Sequence, residues 1–150
     1  MPIPSPRFSS ALRCGWALAL ASLAPPLLAA ELSVTLRHTG NGAGEIGCAL
    51  FASAEGFPSA AEVSAQRWQP AVGTTAECRF ENLPAGRYAV AASLDLNGNR
   101  RTDTHWTGVP TEAWGVSNNV RPRLRAPRFE EAAVDLAEDE TRQIEIEVRR

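Results

Sequence analysis

Apolar residues recur at every second position in several short stretches of this chain. From Glu31 to His38, Leu32, Val34 and Leu36 fall on one face and Ser33, Thr35 and Arg37 on the other. That period is the mark of a half-buried β-strand. Ile46, Cys48 and Leu50 repeat it and run into Phe51, after the turn-forming run Thr39-Gly40-Asn41-Gly42-Ala43-Gly44. The two stretches predict a hairpin, because Gly and Asn tolerate the positive φ of a tight turn. Ala76, Cys78 and Phe80 mark a third strand, and Tyr88, Val90, Ala92 and Leu94 a fourth. Between them, Leu83-Pro84-Ala85-Gly86 has proline at the second turn position and glycine at the fourth, which predicts another tight hairpin. Phe129 to Leu136 predicts a less regular strand. Thr141 to Arg149 alternates most cleanly, with Ile144, Ile146 and Val148 inward and Glu145, Glu147 and Arg149 outward. Glu138-Asp139-Glu140 is the turn between these two. Only from Ala54 to Thr74 does the pattern weaken. There Ala60 to Trp68 predicts a short helix, with Ser59 as N-cap and Glu62 completing a capping box. With no βαβ alternation and no internal repeat, the expectation is all-β. The architecture predicted is an antiparallel, immunoglobulin-like β-sandwich of about seven strands with one short helix or irregular segment.

The first segment changes how the rest is read. Arg7 and Arg13 precede the apolar run Trp16-Ala17-Leu18-Ala19-Leu20-Ala21-Ser22-Leu23-Ala24, and Pro25-Pro26-Leu27-Leu28-Ala29-Ala30 follows. A positive start, an apolar middle and a small-residue exit make a secretory signal. The apolar run is shorter than the roughly 20 residues of a transmembrane helix. The expected organisation is a signal at residues 1–30, cut after Ala30, and a single domain at 31–150, placed in the periplasm or outside the cell. Cys14 leaves with the signal, so Cys48 and Cys78 remain, and an even pair in an exported chain predicts a disulfide. Two buried free thiols are the alternative. The formal net charge of −2 gives no field suited to nucleic acid.

One polar stretch then stands out. From Asp95, oxygen-bearing side chains recur at every second position through Asn97 and Asn99, resume at Asp103, and surround Gly98. A short loop of this kind can wrap a hard cation, and Arg101 would add a backbone carbonyl. Ca²⁺ takes 6–8 oxygens and this loop offers about five, so Ca²⁺ would bind weakly, with a Kd of roughly 10⁻⁴–10⁻³ M. Trp106 stands where a helix-loop-helix site has its bidentate glutamate, and Glu112 or water would complete the shell. The alternative is an ordinary loop of Asx-turns, its carboxylates neutralised by Arg100 or Arg101.

The same region supports a second ligand set. Trp106 and Trp114 flank the loop, with His105, Glu112, Asn118 and Asn119 nearby. Aromatic faces beside amides and carboxylates hold sugars and peptides; otherwise the two tryptophans roof one end of the sandwich. The partner expected is therefore a protein, a peptide or a glycan. Catalysis is not expected. His38 and His105 are the two histidines, neither sits in a nucleophile or metal-protease motif, and only His105 with Asp103 or Glu112 offers acid–base chemistry. Arg121, Arg123, Arg125 and Arg128 form a basic stretch that balances Glu130, Glu131 and Asp135 unless it meets an anionic partner.

Phe80-Glu-Asn-Leu83-Pro-Ala-Gly86-Arg-Tyr88 resembles the F-x-x-L-x-x-G-x-Y motif of transthyretin-like and collagen-adhesin B-type sandwich domains. The longer series of Asp95, Asn97, Asn99 and Asp103, then Pro110-Thr111-Glu112, then Gly115-Val116-Ser117-Asn118-Asn119, resembles a narrower family. These are small exported bacterial proteins of unknown function, domain-of-unknown-function family 2141, and the likeness runs from about Leu32 to the C-terminus. It implies a secreted or periplasmic β-sandwich and brings no established activity. Family members often carry histidine before the first aspartate, where this chain has Leu94.

Overall fold

The computed structural model describes residues 29–39, 43–58, 63–106 and 110–150. The expected signal therefore lies outside the described residues, apart from Ala29 and Ala30.

Among the described residues, eight strands form two sheets. In chain order they are β1 (Ala30–His38), β2 (Glu45–Phe51), β3 (Ala65–Pro70), β4 (Thr75–Leu83), β5 (Gly86–Asp95), β6 (Trp114–Val116), β7 (Val134–Leu136) and β8 (Thr141–Val148). One sheet has the order β4-β1-β8; the other runs β3-β2-β5-β6, with β7 also pairing β5. Leu32, Val34 and Leu36 of β1 pack fully buried against Ile46 and Leu50 of β2, Phe80 of β4, Val90 of β5 and Ile146 of β8. The period-two pattern thus forms the core between the sheets. Cys48 on β2 is bonded to Cys78 on β4, which ties one sheet to the other.

The expected connections differ from the observed ones. β1 and β2 are not a hairpin: β1 pairs β4 and β8, whereas β2 pairs β3 and β5. Likewise Leu83–Gly86 does not fold β4 back on β5 but passes the chain between sheets. The Tyr88 hydroxyl pins that turn, donating to the Pro84 carbonyl at 2.8 Å. The sandwich is also not wholly antiparallel, because β8 runs parallel to β1, with Val34 opposite Ile144 and Leu36 opposite Ile146. Alternation specifies which face is buried but not which strand lies beside it.

Two elements changed type. Ala65 to Trp68, expected in a helix, lies in β3; residues 59–62 of that prediction lie outside the described residues. Tertiary pairing overrides local propensity here, since β2 offers an edge and Gly47 a seat for the Trp68 ring. A β-carbon on Gly47 would sit 2.6–2.7 Å from three consecutive ring atoms of Trp68, so the indole lies face-on over the glycine. Conversely, Phe129 begins a single helical turn, α1 (Phe129–Ala132). Glu131 starts it by accepting the Arg128 backbone N–H at 3.0 Å, and β7 takes only Val134–Leu136. This turn puts Phe129 and Ala132 on the outer face of the larger sheet, against Phe51, Ala89 and Val116. Phe57 stands edge-on between Phe51 and Phe129, with ring centroids 5.2 and 6.0 Å away.

Candidate functional site

β5 ends on Asp95, a carboxylate with no exposed surface. Burying a charge is tolerable only if its lone pairs are met. Asp95 Oδ1 accepts the backbone N–H groups of Asn97 (3.1 Å) and Gly98 (2.8 Å), and Oδ2 accepts that of Arg100. The carboxylate thereby shapes the loop that follows. Asn97 Oδ1 accepts the Asn99 N–H at 3.0 Å, and Asn99 Oδ1 accepts the Arg101 N–H at 2.8 Å, so Asx-turns succeed one another. Gly98 has φ +77° and Arg100 +56°, the left-handed values that close such a ring. Both amides then reach inward: Asn97 Nδ2 donates to Asp103 Oδ2 at 2.6 Å, and Asn99 Nδ2 to Asp103 Oδ1 at 2.9 Å.

A third carboxylate folds back. Glu112, nearly buried, accepts the N–H of Leu96 at 3.0 Å on one oxygen and that of Asp103 at 3.1 Å on the other. The Thr111 N–H donates to the Asp103 carbonyl at 2.8 Å, closing the loop at its base. Beneath it, a β-carbon on Gly44 would lie 2.2 Å from the Asp95 carbonyl oxygen, so only glycine fits against this end of β5.

The nearest cation goes elsewhere. Arg100 donates through two nitrogens to Glu45, at 2.9 and 3.1 Å. That bond is the largest influence on both groups, holding the Glu45 carboxyl below its ordinary range and raising the Arg100 guanidinium. Among the described residues, no arginine forms an ion pair with Asp95, Asp103 or Glu112. Nor do any three His, Cys, Asp or Glu side chains among them converge as a ready metal cage. The oxygens of the loop are a mixed carboxylate and amide set, hard enough for Ca²⁺; Asp95 Oδ1 accepts two N–H groups and each of the others accepts one. Arg101 enters this net through its backbone N–H.

The aromatic and amide candidates are dispersed. Trp106 is 89 % exposed, with the His105 ring tilted beside it at 5.7 Å. Trp114 is half-buried in β6, and the Arg121 guanidinium covers its ring at 4.3 Å. Arg121 also donates to the carbonyls of Trp114 and Arg149. Trp114 and Arg149 exchange backbone bonds of 3.1 Å, which joins the two sheets along one side. Asn118 Nδ2 donates to the carbonyls of Glu131 and Ala133, both at 3.1 Å. Asn119 works like a length of strand on the edge of β8, accepting from the Glu147 N–H and donating to the Glu145 carbonyl. Ser117, fully buried, receives the Val90 N–H at 2.9 Å, filling the ladder of β5 between its pairings with β6 and β7. The structure therefore brings Glu112 to the Asp95 loop but spends Asn118 and Asn119 on backbone, as part of one seam with Ser117. Sequence reasoning missed Glu45, whose signal was its place in the strand opposite Asp95. Of the basic stretch, Arg125 grips Glu131 through both nitrogens, at 2.9 and 2.6 Å.

No curated protein and no solved structure matches the chain. A family model described as "Uncharacterized protein conserved in bacteria (DUF2141)" matches residues 34–145, from β1 into β8 and across every loop just described. The chain belongs to that bacterial family.

Proposed function

We propose that the protein is an exported, non-catalytic β-sandwich module whose Asp95–Asp103 loop takes up Ca²⁺ weakly and is stiffened by it. One observation carries this reading. Asp95, Asp103 and Glu112 all bond to one loop, each through neutral N–H donors, while the neighbouring guanidinium is engaged by Glu45. Hydrogen bonds to neutral donors satisfy lone pairs without cancelling net charge, so the loop still attracts a hard cation. Asp95, Asn97, Asn99, Asp103 and the Arg101 carbonyl would hold the ion, with Glu112 at the base. The ion would supply charge neutralisation, while the chain itself supplies the preset turns. At a Ca²⁺ concentration ten times a millimolar-range Kd, the folded state gains about 1.4 kcal/mol, raising Tm by roughly 3–8 °C over chelator. An unchanged Tm would remove the proposal. The signal-like start and the disulfide between Cys48 and Cys78 support the periplasm or the exterior as its location. N-terminal sequencing of the cell-envelope fraction tests that, and an uncut chain in the cytoplasm would contradict it.

Trp106 favours a second reading. A tryptophan this exposed, beside His105, offers a stacking face for a sugar or peptide without any metal. A glycan array and a peptide pull-down compared with Trp106→Ala decide it; equal signals from both proteins would sink it.

A further inference from the structure

The loop contains an Asn-Gly pair, Asn97-Gly98, and both residues are exposed. In flexible chains this pair modifies itself. The glycine backbone nitrogen attacks the asparagine Cγ, the C–N bond of the carboxamide breaks and ammonia leaves. Water then opens the resulting succinimide to aspartate or isoaspartate. The net change replaces an amide by a carboxylate, with water consumed and no oxidant or reductant involved. Glycine is the most permissive partner because it lacks a side chain to block the approach.

Here every atom of that attack is held. The Gly98 N–H donates to Asp95 Oδ1 at 2.8 Å, and a carboxylate at that place opposes loss of the amide proton. The Asn97 carboxamide is tied at both ends, its oxygen to the Asn99 N–H at 3.0 Å and its nitrogen to Asp103 Oδ2 at 2.6 Å. Both bonds resist any turning of the carboxamide toward the Gly98 nitrogen. We propose that Asn97 is a latent self-deamidation site, guarded by Asp95 and Asp103 and released when that grip is broken.

The product differs sharply from its parent. Aspartate at position 97 has no N–H for Asp103, so two carboxylates would face each other where a 2.6 Å hydrogen bond had been. Such a pair repels unless a cation lies between them. Ageing would therefore turn a self-satisfied loop into one with a greater need for Ca²⁺. This last consequence rests on the cation reading of the loop; the guarding of Asn97 does not.

Peptide mapping by mass spectrometry after incubation at mildly alkaline pH tests the guard. The chain supplies a comparison, because Asn41-Gly42 is a second Asn-Gly pair. In denaturant, Asn97 and Asn41 are expected to convert at similar rates. In the folded protein Asn97 is expected to slow at least tenfold, and Asp103→Ala to restore part of that rate while the circular dichroism stays native. Should that variant unfold, Asp103→Asn keeps one acceptor oxygen and is expected to give an intermediate rate. Equal rates for Asn97 in folded and denatured wild type would overturn the proposal, as would a folded Asp103 variant that converts no faster than wild type. Comparing the Tm gain from Ca²⁺ in Asn97→Asp and wild type tests the coupling alone. An equal gain would reject the link to Ca²⁺ and leave the guard standing.

Discussion

A β-carbon on Gly115 would lie 2.3 Å from the carbonyl oxygen of Glu147 and 2.8 Å from Ile146 Cγ2. The first of these is backbone, which cannot rotate away, so Gly115→Ala must push β6 off β8 or bend it. Overpacking of this kind costs about 1–3 kcal/mol. Urea denaturation should show the loss, and a variant as stable as wild type would mean that the β6–β8 seam is looser than described. A second residue-scale prediction concerns Glu131. Its carboxyl is drawn from 4.5 to about 2, first by the Arg125 side chain and then by the Arg128 backbone N–H. A carboxyl whose folded pKa is depressed contributes stability above its unfolded pKa and loses it as pH falls through the folded one. The contribution should thus be complete above pH about 4.5 and fade toward pH about 2. An NMR titration of Glu131 should show the low value in wild type and a return toward 4.5 in Arg125→Ala. An unmoved titration in that variant would remove Arg125 as the cause.

Among the elements, the disulfide is the strongest single tie, because it joins β2 of one sheet to β4 of the other. It closes a loop of 30 residues. In the chain-entropy account that closure is worth roughly 3–4 kcal/mol. Replacing both Cys48 and Cys78 by serine should lower the denaturation midpoint accordingly; a loss under about 1 kcal/mol would assign sheet cohesion to the apolar core alone. The faces of these strands were legible in the sequence. Leu32, Val34, Leu36, Ile46, Cys48, Leu50, Cys78 and Phe80 all fall where alternation put them, and all are buried. Strand neighbours were not legible. The turn after β4 has hairpin chemistry yet carries the chain between sheets, since turn residues fix a local bend and not the partner beyond it; β1 and β2 likewise lie in different sheets. β3 was missed for the same reason. Its place depends on Gly47, eighteen or more positions earlier in the chain, receiving the Trp68 ring.

On the scale of the whole molecule, the sandwich has one sealed side and one polar end. Trp114, Asn119 and Arg121 stitch β6 to β8, and Ser117 completes the ladder of β5. The Gly-x-Ser-Asn-Asn run therefore reads as a structural seam, although in sequence its amides looked like ligand groups. The Asp95 loop was legible as an oxygen-rich turn. The role of Glu112 at its base was visible only as an option, and the diversion of Arg100 to Glu45 was not visible at all, because both depend on where distant strands come to rest. The affinity proposed for this loop is for Ca²⁺. Titrating the folded protein with Ca²⁺ up to about 10 mM, above the range of weak extracellular sites, and following ¹H–¹⁵N spectra tests it most directly. Saturable shifts are expected, confined to the Gly98 and Arg100 backbone amides and the Asn97 and Asn99 side-chain amides. Spectra that do not change there, or that drift without saturating over the whole acidic surface, would contradict it.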